Sequence, residues 1–182
     1  MDELHLQVLK LHDHQSYLQA CCQLLNSEWP RSERSRLITL NQSNDRFPMS
    51  LILIDSRLNQ LLGHVKLRRE RENQIFVESL IIDRMRRGHG LGSYLMRKVE
   101  EMIQTYGFKQ INLTTTDKVK FYLKLGYVIV NSPNNYKPVN NLTSIKVVDD
   151  KIPKPPPLPV TFKYANCSSS VKVLMRKELN LN

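Results

Sequence analysis

The segment that decides the fold of this chain is Arg86-Arg87-Gly88-His89-Gly90-Leu91-Gly92. It follows a strand-like run, Gln74 to Asp83, and precedes a helix-like run, Ser93 to Thr105. Glycines let a backbone approach an anion closely, and the first N–H groups of a helix have no intrahelical acceptor. The segment therefore predicts a phosphate-binding turn between a strand and a helix. A tight turn without a ligand is the structural alternative.

Two common phosphate-binding motifs do not fit this turn. A Walker loop requires Lys and then Ser or Thr after its last glycine, and the dinucleotide fingerprint requires a third glycine where Ser93 stands. Arg84, Arg86 and Arg87 add positive charge beside the glycines, which supports an anionic ligand of a different kind.

The next thirty or so residues continue the alternation of strand and helix. Lys109 to Thr115 has the composition of a strand, and Asp117 to Leu125 that of a short helix. Gly126 follows this helix at the position of a C-terminal cap.

At this point the chain resembles the GNAT acyltransferases, N-acetyltransferases that use acetyl-CoA. Their motif Arg/Gln-x-x-Gly-x-Gly/Ala is matched by Arg87, Gly90 and Gly92. Their element Phe-Tyr-x-Lys-x-Gly-Phe/Tyr is matched by Phe121, Tyr122, Lys124, Gly126 and Tyr127. Both motifs occur in the expected order and at the expected distance, so the resemblance is specific.

The resemblance implies one GNAT-like α/β domain over residues 1–182. Its mixed central sheet has about seven strands and is flanked by about four helices. The resemblance extends from Leu4 to about Val130 and resumes for a closing strand, Val171 to Leu179. A proline-containing insertion at about 131–170 separates the two parts.

The resemblance also assigns roles around acetyl-CoA. The sheet is expected to splay beside Glu78 to Ile82, so that backbone groups there pair with the pantetheine arm and polarise the thioester carbonyl. Tyr122 occupies the position from which GNAT tyrosines protonate the departing thiolate, and Glu78 is the candidate base through a water molecule. His64 is a weaker candidate base. The expected cofactor-binding residues are Leu80, Ile81, Ile82, Arg87, Gly88, His89, Gly90, Leu91, Gly92, Thr115, Thr116 and Tyr122.

Two positions before the motif tyrosine depart from the common pattern of the family. Many GNAT enzymes have Asn seven residues before the motif tyrosine and Ala four before it, where this chain has Thr115 and Lys118. The hydroxyl of Thr115 or Thr116 is the expected substitute for the missing Asn.

The formal net charge of +10 requires a basic surface beyond the cofactor site. Arginine suits bidentate recognition of carboxylates, and several arginines cluster between the first two predicted helices. The predicted acceptor-binding residues are Trp29, Arg31, Arg34, Arg36 and Asn41. A solvated charged face is the alternative.

A narrower resemblance rests on four segments. Residues 26–32 read Asn-Ser-Glu-Trp-Pro-Arg-Ser, Arg36-Leu and Asn41-Gln-Ser follow, and residues 113–117 read Leu-Thr-Thr-Thr-Asp. Together with the proline-rich insertion they are similar to the N-alpha-acetyltransferases that act on processed actin. This implies actin with an acidic N-terminus as the substrate.

The insertion contains Lys154-Pro155-Pro156-Pro157-Leu158-Pro159. Prolines favour polyproline II, a conformation that SH3, WW and profilin-type grooves bind. The resemblance makes profilin, through Pro153 to Pro159, an expected partner. A linker without a partner is the alternative.

Composition limits the remaining classes. The longest aliphatic run, Leu51 to Ile54, is too short to cross a bilayer, and no signal segment is apparent, so a cytoplasmic protein without membrane contact is expected. The three cysteines lack metal-ligand spacing, and no metal is expected. No recognition helix or aromatic-rich basic strand pair suggests nucleic acid.

Three functions from different classes therefore stand at this stage. The first is an N-terminal acetyltransferase for acidic protein termini. The second is an acetyltransferase for small amines or lysine side chains. The third is a non-catalytic module that binds partners through its polyproline segment and basic face.

Overall fold

The computed structural model describes residues 5–130 and 172–179. The predicted insertion at about 131–170, which includes the polyproline segment Pro153 to Pro159, lies outside these residues. The described residues form seven strands and four α-helices: β1 Leu6–Lys10, α1 Leu18–Glu28, α2 Glu33–Asn41, β2 Met49–Asp55, β3 Gln60–Arg71, β4 Gln74–Ile82, α3 Leu91–Thr105, β5 Gln110–Thr115, α4 Val119–Lys124, β6 Val128–Ile129 and β7 Val173–Glu178.

The strands form one mixed sheet in the order β1-β2-β3-β4-β5-β7-β6. Every neighbouring pair is antiparallel except β4 and β5, which are parallel and are joined through α3. The predicted mixed sheet with flanking helices is therefore confirmed.

Hydrophobic side chains cover both faces of the sheet. Successive side chains of a strand point to opposite faces, so the continuous apolar run of β2 is buried on both sides. Leu51 and Leu53 belong to the cluster that includes α3, whereas Ile52 and Ile54 pack with α1 and α2. The helices therefore form an outer layer on each face.

Two helix boundaries differ from the prediction. The third helix begins at Leu91 rather than Ser93, because the left-handed backbone of Gly90 turns the chain directly before it. The fourth helix begins at Val119 rather than Asp117, since the backbone N–H of Lys118 donates to Thr115 Oγ1 at 3.1 Å in the preceding turn. Gly92 thus lies within the first turn of α3.

None of the helices in residues 5–130 and 172–179 is long and apolar enough to span a bilayer.

Candidate active site

The sheet opens between β4 and β5. These strands pair only where Gln74–Val77 lies beside Gln110–Leu113. Beyond that point β4 remains paired with β3 as far as Ile82, and β5 remains paired with β7 as far as Thr115. The predicted splay beside Glu78 to Ile82 is present, and the β4 backbone facing it lacks a strand partner among the described residues.

A bulge marks the start of this opening. Lys66 of β3 pairs with Ser79 of β4, and the next residue, Leu67, pairs with Val77. Glu78 is therefore an extra residue in β4 without a partner in this register. A bulge bends its strand and redirects side chains. The bulge is therefore the local cause of the separation of β4 from β5.

A cleft of about 1330 Å³ occupies the opening. It brings together most of the predicted site residues and leaves out His89, Arg34 and Asn41. The predicted residues that line it are Trp29, Arg31, Arg36, Glu78, Leu80, Ile81, Ile82, Arg87, Gly88, Gly90, Leu91, Gly92, Thr115, Thr116 and Tyr122.

The glycines of the turn have two different roles. Gly88 and Gly90 have φ values of +80° and +79°, and a Cβ added at either would meet no atom within 4 Å. They give the turn its left-handed backbone and leave space beside it. A Cβ on Gly92 would lie 3.3 Å from the Phe121 ring, so Gly92 allows α3 to pack closely on α4.

Arg87 connects this turn to two other elements. Its Nε donates to the backbone oxygen of Ile82 at 2.9 Å, and its Nη2 donates to Glu28 Oε2 at 3.0 Å. Arg84 Nη2 reaches the same carboxylate oxygen at 3.4 Å. The hydrogen bond from Arg87 holds the pKa of Glu28 below its usual value, with Arg84 contributing in the same direction.

Tyr122 lies at the wall of the cleft on α4 and is 8% exposed. Its ring makes edge contacts with Phe121 and Tyr127 at centroid distances of 4.9 Å and 5.6 Å. Burial, with a smaller effect of the Asp117 charge, raises the pKa of Tyr122 to about 12. The hydroxyl is therefore protonated at neutral pH, as a proton donor must be.

Glu78 lines the cleft from β4 and is ion-paired. Its Oε2 is 2.8 Å from Lys66 Nζ, and its Oε1 is 3.3 Å from Arg68 Nε. Both carboxylate oxygens are thus engaged by cations within the described residues. A role as base would use the remaining lone pairs of these oxygens, and it stays a prediction.

His64 lies in β3, is fully buried and is not among the residues that line the cleft. Neither of its ring nitrogens has a hydrogen-bond partner among the described residues. Burial, followed by the charges of Lys66 and Arg36, lowers the pKa of His64 to about 3. The imidazole is neutral and enclosed, which places it out of reach of an acceptor in the cleft.

The predicted arginine cluster divides into three different environments. Arg31 is exposed and lines the cleft beside Trp29. Arg36 also borders the cleft, but it is only 8% exposed, and its guanidinium donates to Asn26 Oδ1 at 3.0 Å and to the backbone oxygen of Trp29. Arg34 points elsewhere on α2. Arg36 therefore holds the end of α1, and Arg31 is the arginine available to a ligand.

Gly63 is a site-supporting residue that sequence reasoning missed. It pairs with Ile82 on the neighbouring strand, and a Cβ there would lie 2.6 Å from Ile82 Cδ1 and 2.9 Å from the backbone oxygen of Ile81. A side chain at Gly63 would displace the end of β4. A glycine inside a strand pattern was the available signal.

No group of three or more His, Cys, Asp or Glu side chains that could hold a metal ion occurs in residues 5–130 or 172–179.

The sequence model of the acetyltransferase (GNAT) family matches residues 18–127, which contain the opened sheet, the glycine turn and Tyr122. The chain belongs to this family.

Comparisons with individual proteins agree with this assignment. The GNAT chain is 38% identical over 117 residues to the N-alpha-acetyltransferase 80 of Mus musculus, a match that covers 60% of this chain and 37% of the mouse protein. The chain thus spans well under two thirds of the length of that relative.

Solved structures show the same fold at low identity. An aminoglycoside 6'-N-acetyltransferase complexed with coenzyme A has a TM-score of 0.65 at 18% identity, covering 96% of this chain and 97% of its own. Ard1 from Thermoplasma volcanium has a TM-score of 0.64 at 13% identity, covering 97% of this chain and 99% of its own.

The residues of the cleft fit the cosubstrate that this family uses, acetyl-CoA. The unpaired backbone of β4 can pair with a strand-like amide chain, and the N-terminal N–H groups of α3 can donate to phosphate oxygens. The open space at Gly88 and Gly90 leaves this approach unobstructed.

Proposed function

We propose that this GNAT chain is an N-alpha-acetyltransferase that transfers acetyl from acetyl-CoA to the free α-amine of acidic protein N-termini. Processed actin is the substrate we expect. The observation that carries the catalytic part of the proposal is the position of Tyr122, a buried and protonated hydroxyl on the wall of the cleft that opens between β4 and β5.

The chain's own groups suit direct transfer within a ternary complex. Acetyl-CoA supplies a thioester whose carbonyl carbon bonds to the amine nitrogen while its C–S bond breaks. Unpaired backbone N–H groups of β4 are placed to donate to the thioester oxygen as it gains charge. The Tyr122 hydroxyl supplies the proton that the departing sulfur takes up.

The acceptor needs only modest activation. A protein α-amine has a pKa of roughly 7.7 to 8.0, so a substantial fraction is unprotonated near neutral pH. The proton released on attack can pass through water to Glu78, which lines the cleft from β4. Glu78 would thus assist an already available nucleophile.

The charge of the cleft supports an acidic acceptor. Eight Lys and Arg residues line the cleft, against three Asp and Glu residues. The pyrophosphate of the cosubstrate would neutralise part of this excess at the glycine turn. Arg31, which is exposed and lines the cleft, would meet carboxylates that follow the reactive amine.

The mouse relative supports the choice of an α-amine as acceptor, because it is itself named an N-alpha-acetyltransferase. Actin as substrate and profilin as partner rest on the sequence resemblance. A cationic cleft disfavours polyamines, which are the main small-amine alternative.

The test uses peptides that differ in one property at a time. An acidic peptide with a free α-amine, its Asn/Gln counterpart, and the acidic peptide with a blocked α-amine and an internal lysine are incubated with acetyl-CoA. Mass spectrometry with fragmentation locates the acetyl group. Of the three peptides, we expect only the acidic peptide with a free α-amine to be acetylated efficiently, and at that amine. Preferential modification of the internal lysine, or of spermidine in a parallel reaction, would establish the second function instead.

A further inference from the structure

A partly buried ion pair connects β7, α3 and the turn after α4. Lys177 on β7 places Nζ 2.7 Å from Oε2 of Glu100 on α3 and 2.7 Å from the backbone oxygen of Leu125, which follows α4. The side chains of Lys177 and Glu100 are 25% and 12% exposed. This Lys177–Glu100 pair is separated by 77 positions in the sequence and lies outside the residues that line the cleft.

The residue that Lys177 caps belongs to the turn that ends α4. Gly126 has a φ of +85°, its N–H donates to the oxygen of Leu123 at 3.0 Å, and the N–H of Tyr127 donates to the oxygen of Tyr122 at 3.1 Å. These two hydrogen bonds form a Schellman motif. The backbone oxygen of Tyr122 is therefore an acceptor in this motif. The backbone oxygen of Leu125, in the same turn, accepts the hydrogen bond from Lys177.

Side-chain contacts repeat the connection. The Lys177 ammonium lies 5.7 Å from the centre of the Tyr127 ring, and that ring lies 5.6 Å from the Tyr122 ring in an edge-to-face arrangement. The Tyr127 hydroxyl is buried and faces Glu100, and burial together with the Glu100 charge raises the pKa of Tyr127 far above its usual value. Lys177 is thus connected to Tyr122 in two ways: by the backbone turn that includes Leu125, and by the ring of Tyr127 that packs between them.

Stability alone does not account for an ion pair at this place. Moving two charges out of water is unfavourable, and a well-packed apolar pair of similar size is often as stable or more stable. A charged pair instead fixes the orientation of its side chains, since the Lys177 ammonium must donate to both the Glu100 carboxylate and the Leu125 oxygen.

We propose that the Lys177–Glu100 pair is a positioning device that fixes the Tyr122 hydroxyl within the cleft. The inference rests on the proposed role of Tyr122 as the proton donor. It assigns to Lys177 and Glu100 an effect on turnover without any contact with substrate. A displacement of a catalytic group by about 1 Å is sufficient to lower a rate by roughly 100-fold.

The first experiment separates positioning from stability. Lys177→Met leaves Glu100 buried without its partner, whereas Lys177→Met/Glu100→Met replaces both charges with apolar side chains. We expect the single variant to lose thermal stability and kcat, and the double variant to regain thermal stability while kcat stays roughly 10- to 100-fold low. KM for acetyl-CoA should stay within about threefold, because the glycine turn is untouched. Recovery of both stability and kcat in the double variant would overturn the proposal.

A double-mutant cycle tests whether the pair acts through Tyr122. In a Tyr122→Phe background, removal of the pair should lower kcat no further, since the hydroxyl that it positions is already absent. An additional loss of the same size as in the wild-type background would show that the pair acts by another route. Lys120→Met is the matched control, because Lys120 is an exposed lysine of α4 outside the cleft.

The two proposals fail in different ways. If Tyr122→Phe retains wild-type turnover, the assignment of Tyr122 as proton donor fails. If Tyr122→Phe is impaired and the double-Met variant has normal turnover, the positioning role fails and the proposed function stands.

Discussion

Arg36 and Asn26 form a hydrogen bond of 3.0 Å between Arg36 Nε and Asn26 Oδ1, which ties the first turn of α2 to the last turn of α1. The same guanidinium also donates to the backbone oxygen of Trp29. One buried arginine therefore determines the angle at which the segment between the two helices enters the cleft, and its loss should affect folding before it affects recognition.

Arg36→Gln should reduce the free energy of unfolding by about 1 to 3 kcal/mol, because a shorter side chain breaks two part-buried hydrogen bonds from the guanidinium, to Asn26 and to the backbone oxygen of Trp29. Urea denaturation of the two proteins measures the difference. Arg34→Gln is the matched control: Arg34 is exposed on the same helix, and its loss should change stability by less than about 0.5 kcal/mol.

Arg31→Gln should raise KM for an acidic peptide by about 10-fold and leave a neutral peptide almost unchanged, since a charge-assisted hydrogen bond contributes roughly 1.5 to 3 kcal/mol when shielded from water. Steady-state kinetics at low and high salt tests this, because screening should reduce the difference between the peptides. Arg34→Gln again serves as control. Equal losses for both peptides would remove Arg31 from acidic recognition.

Gly90→Asp should weaken acetyl-CoA binding severely, and Gly90→Asn should weaken it much less. Both side chains are among those that best tolerate a φ of +79°, so the pair isolates the effect of a negative charge beside the expected pyrophosphate. Isothermal titration calorimetry gives both dissociation constants. Similar affinities for the Asp and Asn proteins would argue against an anion at this turn.

Tyr122→Phe should lower turnover by roughly 10²- to 10⁴-fold with little change in acetyl-CoA affinity. The ring contacts with Phe121 and Tyr127 are preserved in this variant, so thermal unfolding should stay near that of the wild type. Pre-steady-state rates and calorimetry distinguish a loss of chemistry from a loss of binding. Normal turnover would reduce Tyr122 to a packing role.

Stability should fall as the pH drops below about 6.5, and His64 should cause part of the loss. The pKa of His64 is about 3 in the folded protein and near 6.5 when unfolded, so between these values the unfolded chain binds the extra proton. From pH 7 to pH 5 this amounts to about 2 kcal/mol. Urea denaturation at both pH values should show a smaller loss in His64→Leu, and an unchanged loss would contradict the assignment.

The parts of the site that were predicted correctly from the sequence are those whose conformation depends on neighbouring residues in the chain. Gly90 and Gly126 were predicted at helix boundaries, and both have the left-handed backbone that such positions require. The glycine turn, the following helix and the Tyr122 element carry the family resemblance, and that resemblance implied the opening between β4 and β5.

The sequence did not predict which residues of the arginine cluster are buried, because their environments depend on packing between elements. Arg31, Arg34 and Arg36 have the same chemistry in the sequence. In the fold, Arg31 precedes α2 and is exposed at the cleft, whereas on α2 Arg36 is buried and Arg34 is exposed away from the cleft. Which arginine is buried is decided by packing between elements.

Lys177 and Glu100 were missed for the same reason, although Glu100 offered a signal. It lies four residues after Met96 and three before Ile103, which places a carboxylate on the apolar face of α3. Such a residue requires a buried partner, but the partner is on the last strand and cannot be identified from helical spacing.

β4 and β5 lie inside the sheet, yet beyond Val77 and Leu113 they form no hydrogen bonds with each other. In the part of the chain that the structure describes, the gap therefore leaves interior strands with unpaired backbone groups, which are normally found only at the edge of a sheet. An amide-bearing ligand seated there acts as a short temporary strand and joins the two halves of the sheet. Because such a ligand binds the folded chain alone, a concentration of 100 times its dissociation constant adds about 2.7 kcal/mol to folding stability. If acetyl-CoA, the cosubstrate of the family, occupies this gap, the thermal stability of the protein should rise with its concentration.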